Sequence, residues 1–173
     1  MKIRPKYLID KPPGTLKNRV FIGGNYSLGS RIEDIADVVR DCGYQPIIVW
    51  EFDILPGTER HSSKQIVKQC KYAIFEVSSN AGHFFEIDDA EEYSLNCLCL
   101  WDAHQGSSPN VSAMVQSHPV FLSNNKPYRN TRELQYLVYD FLRSLNSRDH
   151  CQGSIRRLGT KAAAGFKPAT RAS

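Results

Sequence analysis

Strands and helices alternate along this 173-residue chain with short connections between them. That order predicts an α/β fold, a doubly wound and mostly parallel sheet of four to five strands. Three observations carry the prediction. The run Gln45-Pro46-Ile47-Ile48-Val49-Trp50 is continuously apolar after its first residue, the composition of a strand covered on both faces. Residues 29–42 place Ile32, Ile35, Ala36, Val38 and Val39 at helical spacing with polar residues between them. Cys42-Gly43 then supplies the glycine expected just past a helix end.

In chain order, residues 1–18 hold Pro5, Pro12, Pro13 and Gly14 and read as an irregular lead-in. The first strand is Arg19-Val20-Phe21-Ile22, closed by Gly23-Gly24-Asn25, and the first helix and second strand follow as described. After an acidic, turn-rich loop (51–58), a short helix is expected from about Ser62 to Cys70 and a third strand from Tyr72 to Val77. A helix from about Ala81 to Ser94 and a fourth strand from Leu95 to Trp101 come next. Beyond a Gly/Ser-rich loop (102–109), a brief helix is expected over 111–116 and a fifth strand at Val120-Phe121-Leu122. The last helix, from about Thr131 to Asn146, carries one apolar stripe of Leu134, Leu137, Val138, Phe141, Leu142 and Leu145. The folded domain therefore spans 19–146. Residues 147–173, rich in Gly, Ala, Ser and basic side chains, bury too little to order themselves and are expected to form a disordered basic tail.

Composition narrows the function classes. A hydrophobic content of 41% with 23% charged residues is that of an ordinary water-soluble domain, and no apolar run approaches a membrane span. With no apolar segment behind the basic N-terminus, no secretory signal is read and a cytoplasmic location is expected. The net charge of +4 is unevenly distributed. Residues 1–19 carry six Lys/Arg against Asp10 and residues 147–173 six against Asp149, which leaves the body at −6. An acidic body argues against a nucleic-acid-binding face. The five cysteines (42, 70, 97, 99 and 151) lie mostly in apolar contexts and read as reduced buried thiols, Cys97 and Cys99 on one strand face. The five histidines show no metal-ligand spacing, so no metal site is expected.

The stretch from Ala73 to Ile87 focuses the search for chemistry. It reads as a buried strand, a loop of small residues (Ser78-Ser79-Asn80-Ala81-Gly82), then a helix with Glu86 in its first turns. In an open parallel sheet, ligands lie beyond the carboxyl ends of the strands, where such loops gather. Gly23-Gly24 matches neither a dinucleotide fingerprint nor a phosphate-binding loop.

The order strand, Glu76-Val77-Ser78, small-residue loop, Gly82-x-x-x-Glu86, helix and apolar strand, followed by Val111-Ser112-Ala113-Met114-Val115, resembles the nucleoside 2-deoxyribosyltransferase superfamily. The similarity starts at Gly24-Asn25-Tyr26, covers roughly 19–145, and is greatest to the branch that cleaves deoxynucleoside monophosphates at the N-glycosidic bond. A more distant likeness is to Toll/interleukin-1 receptor (TIR) domains, including their NAD-cleaving members. The resemblance implies an enzyme acting on a nucleoside, nucleotide or NAD-like small molecule without a cofactor, with Glu86 as the nucleophile at the sugar C1′. A carboxylate is chemically suited to an oxocarbenium-like centre, which it can stabilise or trap. A position in the first turn of a helix favours its ionised form. The resemblance also implies that Tyr26 lines the sugar pocket, that Ser79, Asn80 and Gly82 form the substrate loop, and that Ser112 reaches a neighbouring subunit's phosphate site in a homodimer. Arg31 has the fork geometry for a phosphate, and Asp53, at the end of strand two, is positioned to contact base or sugar.

This chain departs from the family in the helix before strand three. The family carries an aspartate there, and the matching stretch here is His61-Ser62-Ser63-Lys64-Gln65. His83-Phe84-Phe85 also places bulk where the monophosphate-cleaving branch has small residues. An alternative of another class is a catalytically inactive nucleotide sensor or TIR-like signalling module.

Overall fold

A computed structural model describes residues 7–79, 84–105 and 112–145. Strands β1 (Arg19–Gly24), β2 (Gln45–Ile47), β3 (Tyr72–Glu76), β4 (Asn96–Asp102) and β5 (Asn125–Tyr128) form one sheet in the order β2-β1-β3-β4-β5. Every pairing is parallel, so each connection crosses over a face of the sheet. The doubly wound α/β fold read from the sequence is the fold of this chain, with the strand order of flavodoxin-like sheets. The chain leaves β1 for the β2 edge and returns to β3, so a topological switch point lies between β1 and β3.

Side-chain parity divides the core. Val20, Ile22, Ile74, Leu98 and Leu100 face α1 (Gly29–Asp41) and α6 (Thr131–Leu145), which contribute Ile32, Ile35, Val39, Leu134, Val138 and Leu142. The intervening residues Phe21, Ala73, Phe75, Cys97 and Cys99 face α2 (Glu59–Lys68) and α3 (Phe84–Glu92), which contribute Ile66, Val67, Ile87 and Ala90. Two short helices, α4 (Ala113–Gln116) and α5 (Pro119–Ser123), complete that side with Val115, Val120 and Phe121. Each such Val, Leu, Ile or Phe side chain, removed from water, contributes about 1.5–3 kcal/mol. Cys97 and Cys99 share a face as expected, and burial pushes the Cys70 and Cys97 thiols up to about 12, which keeps them protonated.

Three elements differ from the sequence reading. Val120-Phe121-Leu122 is helical, not a strand. The His118 ring accepts the Val120 N–H as an N-cap and Pro119 occupies the first turn, where its missing N–H is no loss. The fifth strand is instead Asn125-Lys126-Pro127-Tyr128, a polar edge strand whose proline is tolerated because only one side of the strand is paired. Strand two stops at Ile47, and a 3-10 turn over Val49–Glu51 takes Trp50 out of the sheet. No helix of the described residues is long and apolar enough to cross a membrane. The expected tail at 147–173 lies outside the described residues.

Two residues past α3, Ser94 has a φ of 55°, in the left-handed region, while Leu95 N–H reaches the Ala90 carbonyl at 2.9 Å. A side chain is disfavoured in that conformation and glycine is not. Ser94→Gly is therefore expected to raise the urea midpoint by the equivalent of about 0.5–1 kcal/mol. An unchanged or lower midpoint would contradict this account of the helix end.

Candidate functional site

The loops after β1 and β3 meet at the switch point. Asn25 organises the first of them: its Oδ1 accepts from Ser27 N–H at 3.0 Å and from the Ser27 hydroxyl at 2.7 Å. Its Nδ2 donates to Ser79 Oγ at 2.9 Å, tying the two loops together. Gly24 permits this approach. A Cβ there would stand 2.8 Å from the Glu76 carbonyl oxygen and 3.1 Å from Ile32 Cδ1, with φ at 157°. The Gly23-Gly24 pair thus serves close packing of two strands. Gly24→Ala is expected to destabilise the fold by about 2–3 kcal/mol, measured by chemical denaturation.

Glu86 enters from α3 and Ser63 from α2. The Ser63 hydroxyl donates to Glu86 Oε1 at 2.9 Å, while Glu86 Oε2 is buried without a hydrogen-bond partner. Burial raises the Glu86 pKa above its ordinary value, against the lowering effects of the Ser63 hydrogen bond, its own backbone N–H and the Arg60 charge. Position in the first helical turn, which alone favours the ionised form, is outweighed here by desolvation.

Beside Glu86 lies Tyr26. Its hydroxyl is buried and makes no hydrogen bond of full geometry; burial followed by the Glu86 charge raises its pKa against the lowering effect of the Val49 backbone N–H, so it stays a neutral phenol. The Trp50 ring meets the Tyr26 ring edge-on, centroids 5.0 Å apart, and the Trp50 indole Nε1 is likewise buried and unpartnered. A buried polar atom without a partner costs about 1–3 kcal/mol. Three of them, one acceptor and two with a hydrogen to donate, are linked through Tyr26, by its ring contact with Trp50 and its electrostatic interaction with Glu86, and are the candidate ligand contacts of this region.

The other site residues separate into groups. Ser79 belongs to the strap across the switch point. Asn80 and Gly82 lie outside the described residues. Arg31, expected at a phosphate, points its Nη2 at Asp102 Oδ2 (2.7 Å) and its Nη1 at Glu76 Oε1 (3.4 Å). Two carboxylates thus occupy the guanidinium on the α1–α6 side of the sheet. Glu76 is fully buried, and accepts from the Tyr128 hydroxyl at 2.6 Å and from the Ser78 hydroxyl. Asp53 is exposed, its backbone N–H donating to Tyr7 O. Among the described residues, no hydrogen bond or ion pair joins its side chain to Glu86, Tyr26 or Trp50. Ser112 caps α4, accepting from Val115 N–H at 3.4 Å.

Sequence reasoning missed Trp50 and Ser63. Trp50 sits at the end of an apolar run and reads as strand. Ser63 stands one helical turn from Val67, inside the stretch that lacks the family's aspartate, yet it is the residue that holds Glu86. Also unforeseen is a cluster of Asp88, Glu91 and His118, whose ligand atoms lie within 4.8 Å of one another. His118 Nδ1 accepts the Val120 N–H at 3.2 Å, so the neutral ring carries its proton on Nε2 and presents it to Glu91 Oε2 at 3.3 Å. Metal ligation through Nε2 would need that proton on Nδ1, where the Val120 N–H already points. The geometry is that of a polar contact between the N-cap of α5 and the acidic face of α3, with Asp88 Oδ1 also 3.8 Å from Nε2.

No family model matches this chain. No curated protein matches it. Among solved structures it is similar to the rubredoxin oxygen:oxidoreductase of the anaerobe Desulfovibrio gigas, at 12% sequence identity and a TM-score of 0.45, over 79% of this chain and 37% of that one.

Proposed function

We propose that this protein cleaves or transfers an N-glycosidic bond of a nucleoside, nucleotide or NAD-like substrate, with Glu86 as nucleophile. The observation that supports this reading most directly is the Glu86 carboxylate itself. One oxygen is held by Ser63, and the other is buried and unpartnered, within electrostatic reach of the Tyr26 hydroxyl. Hydrogen bonding at Oε1 fixes the carboxylate plane and leaves Oε2 free to attack. In the reaction, Oε2 bonds to the anomeric carbon as the carbon–nitrogen bond breaks, and the base departs with that electron pair and takes up a proton. Water, or an acceptor base, then displaces the carboxylate from the sugar. A dry setting strengthens the attraction between the carboxylate and the positive charge developing on the sugar.

The test is to incubate the full chain with deoxynucleosides, their monophosphates and NAD, and to follow free base by chromatography. Release from at least one substrate, absent in Glu86→Gln, is the expected result. No release from any of them, or equal release by the variant, overturns the reading.

A further inference from the structure

Tyr26 and Trp50 hold buried polar atoms that the nucleophile's own chemistry does not use. The two rings brace one another edge-on at 5.0 Å, which fixes where the phenol hydroxyl and the indole N–H point. Neither atom makes a hydrogen bond of full geometry among the described residues, and the Val49 backbone N–H that bears on the Tyr26 oxygen is a donor, which leaves the phenol's own hydrogen uncommitted. An indole N–H is only a donor, and a phenol that stays neutral offers its own hydrogen as well, so together they suit a ligand group rich in lone pairs.

The charge around them specifies what kind of group. Glu86 is close enough to act electrostatically on Tyr26, and would repel an anion placed there. Cations that could offset that repulsion are already engaged. Arg60 spans both oxygens of fully buried Asp89, its Nη2 on Oδ1 at 2.7 Å. Lys64 sits 2.6 Å from Glu92, and Arg31 is divided between Asp102 and Glu76. Turning any of these toward a phosphate would leave a carboxylate without its partner, in two cases a fully buried one.

We propose that Tyr26 and Trp50 form a recognition subsite for an uncharged hydrogen-bond-accepting group, a carbonyl, ring nitrogen or sugar hydroxyl, so that the crevice takes a nucleoside in preference to its phosphate. This rests on the N-glycosidic reading and adds to it both a residue and a substrate class. Trp50 becomes a specificity-determining residue, and the phosphate-contacting role that its sequence suggested for Arg31 is not needed.

The test measures binding by titration calorimetry to the chain with Glu86 intact, using carbocyclic deoxynucleosides, whose carbon–nitrogen bond is not cleaved, and their 5′-monophosphates, so that the Glu86 charge on which the preference depends is kept. The nucleoside is expected to bind at least about 10-fold more tightly than its monophosphate. Tyr26→Phe, which keeps the ring and removes only the hydroxyl, and Trp50→Phe, which keeps an aromatic ring against Tyr26 but removes the indole N–H, are each expected to weaken nucleoside binding about 5–10-fold, the first without lowering the melting temperature. Equal or tighter binding of the monophosphate, unchanged affinity in both variants, or no saturable binding of any nucleoside overturns the subsite. The two readings fail separately. Nucleoside binding that depends on Trp50 and Tyr26, without base release by the wild type, sinks the glycosidase and keeps the subsite. Base release indifferent to both variants does the reverse.

Discussion

Glu86→Gln is expected to lower base release by a factor on the order of 10⁴ or more while leaving a protein more stable than the wild type at neutral pH. Both halves follow from one observation. The carboxylate is buried with an oxygen unpartnered, and desolvation raises its pKa in the fold. A carboxyl whose folded pKa is raised favours folding in its protonated form, so its contribution is fully present below the unfolded value, near 4.5, and is lost as pH rises through the folded value. At neutral pH the ionised group opposes folding. An amide of the same shape removes that charge and can still accept from Ser63. The melting-temperature advantage of the variant should therefore widen between pH 4 and pH 7.5. A variant less stable than the wild type at both pH values would contradict the burial argument. The same raised pKa sets the acid limb of the wild-type rate profile at a higher pH than a solvent-exposed carboxylate would give, because only the ionised form attacks.

Arg31→Met is expected to destabilise the fold by about 3–5 kcal/mol, measured by chemical denaturation. Arg31 is the cation that Glu76, fully buried, shares with Asp102, and a methionine of similar length leaves both acids without it. The Tyr128 and Ser78 hydroxyls still donate to Glu76, but they carry no charge to balance it. The remedy is as specific as the defect: Glu76→Gln in the same chain removes the uncompensated charge and should return part of the loss. Arg31 in a purely ligand-binding role would give the opposite pattern, weakened binding at an unchanged denaturation midpoint.

The layout of the fold was legible wherever burial and periodicity agreed. Strands β1 and β3 and helices α1 and α6 are dominated by apolar residues in patterns that admit one reading. The end of the sheet was not, because edge position relaxes the demand for apolar, β-branched residues. Asn125-Lys126-Pro127-Tyr128 pairs on one side only, while the more strand-like Val120-Phe121-Leu122 is recruited as a helix by Pro119 and His118. Pro119 was the available signal. At the site, Glu86 stood out by position, after a strand end that an apolar run defines, and Tyr26 by the family resemblance. Ser63 and Trp50 could not, because their importance lies in contacts with residues 23 and 24 positions away. A serine in a helix and a tryptophan at the end of an apolar run announce nothing by themselves. Glu76 was hidden for a related reason: a strand-terminal acid reads as exposed until α1 and β5 close over it.

Both border strands of the sheet carry a proline, Pro46 in β2 and Pro127 in β5. A proline removes one backbone donor from whichever ladder it enters, so neither border offers the uninterrupted row of N–H and C=O groups that an added strand would need. Strand-by-strand growth of the sheet into a fibre is disfavoured at both borders. The two prolines thus act as chain terminators for the sheet, one set in each ladder that a sixth strand would have to join.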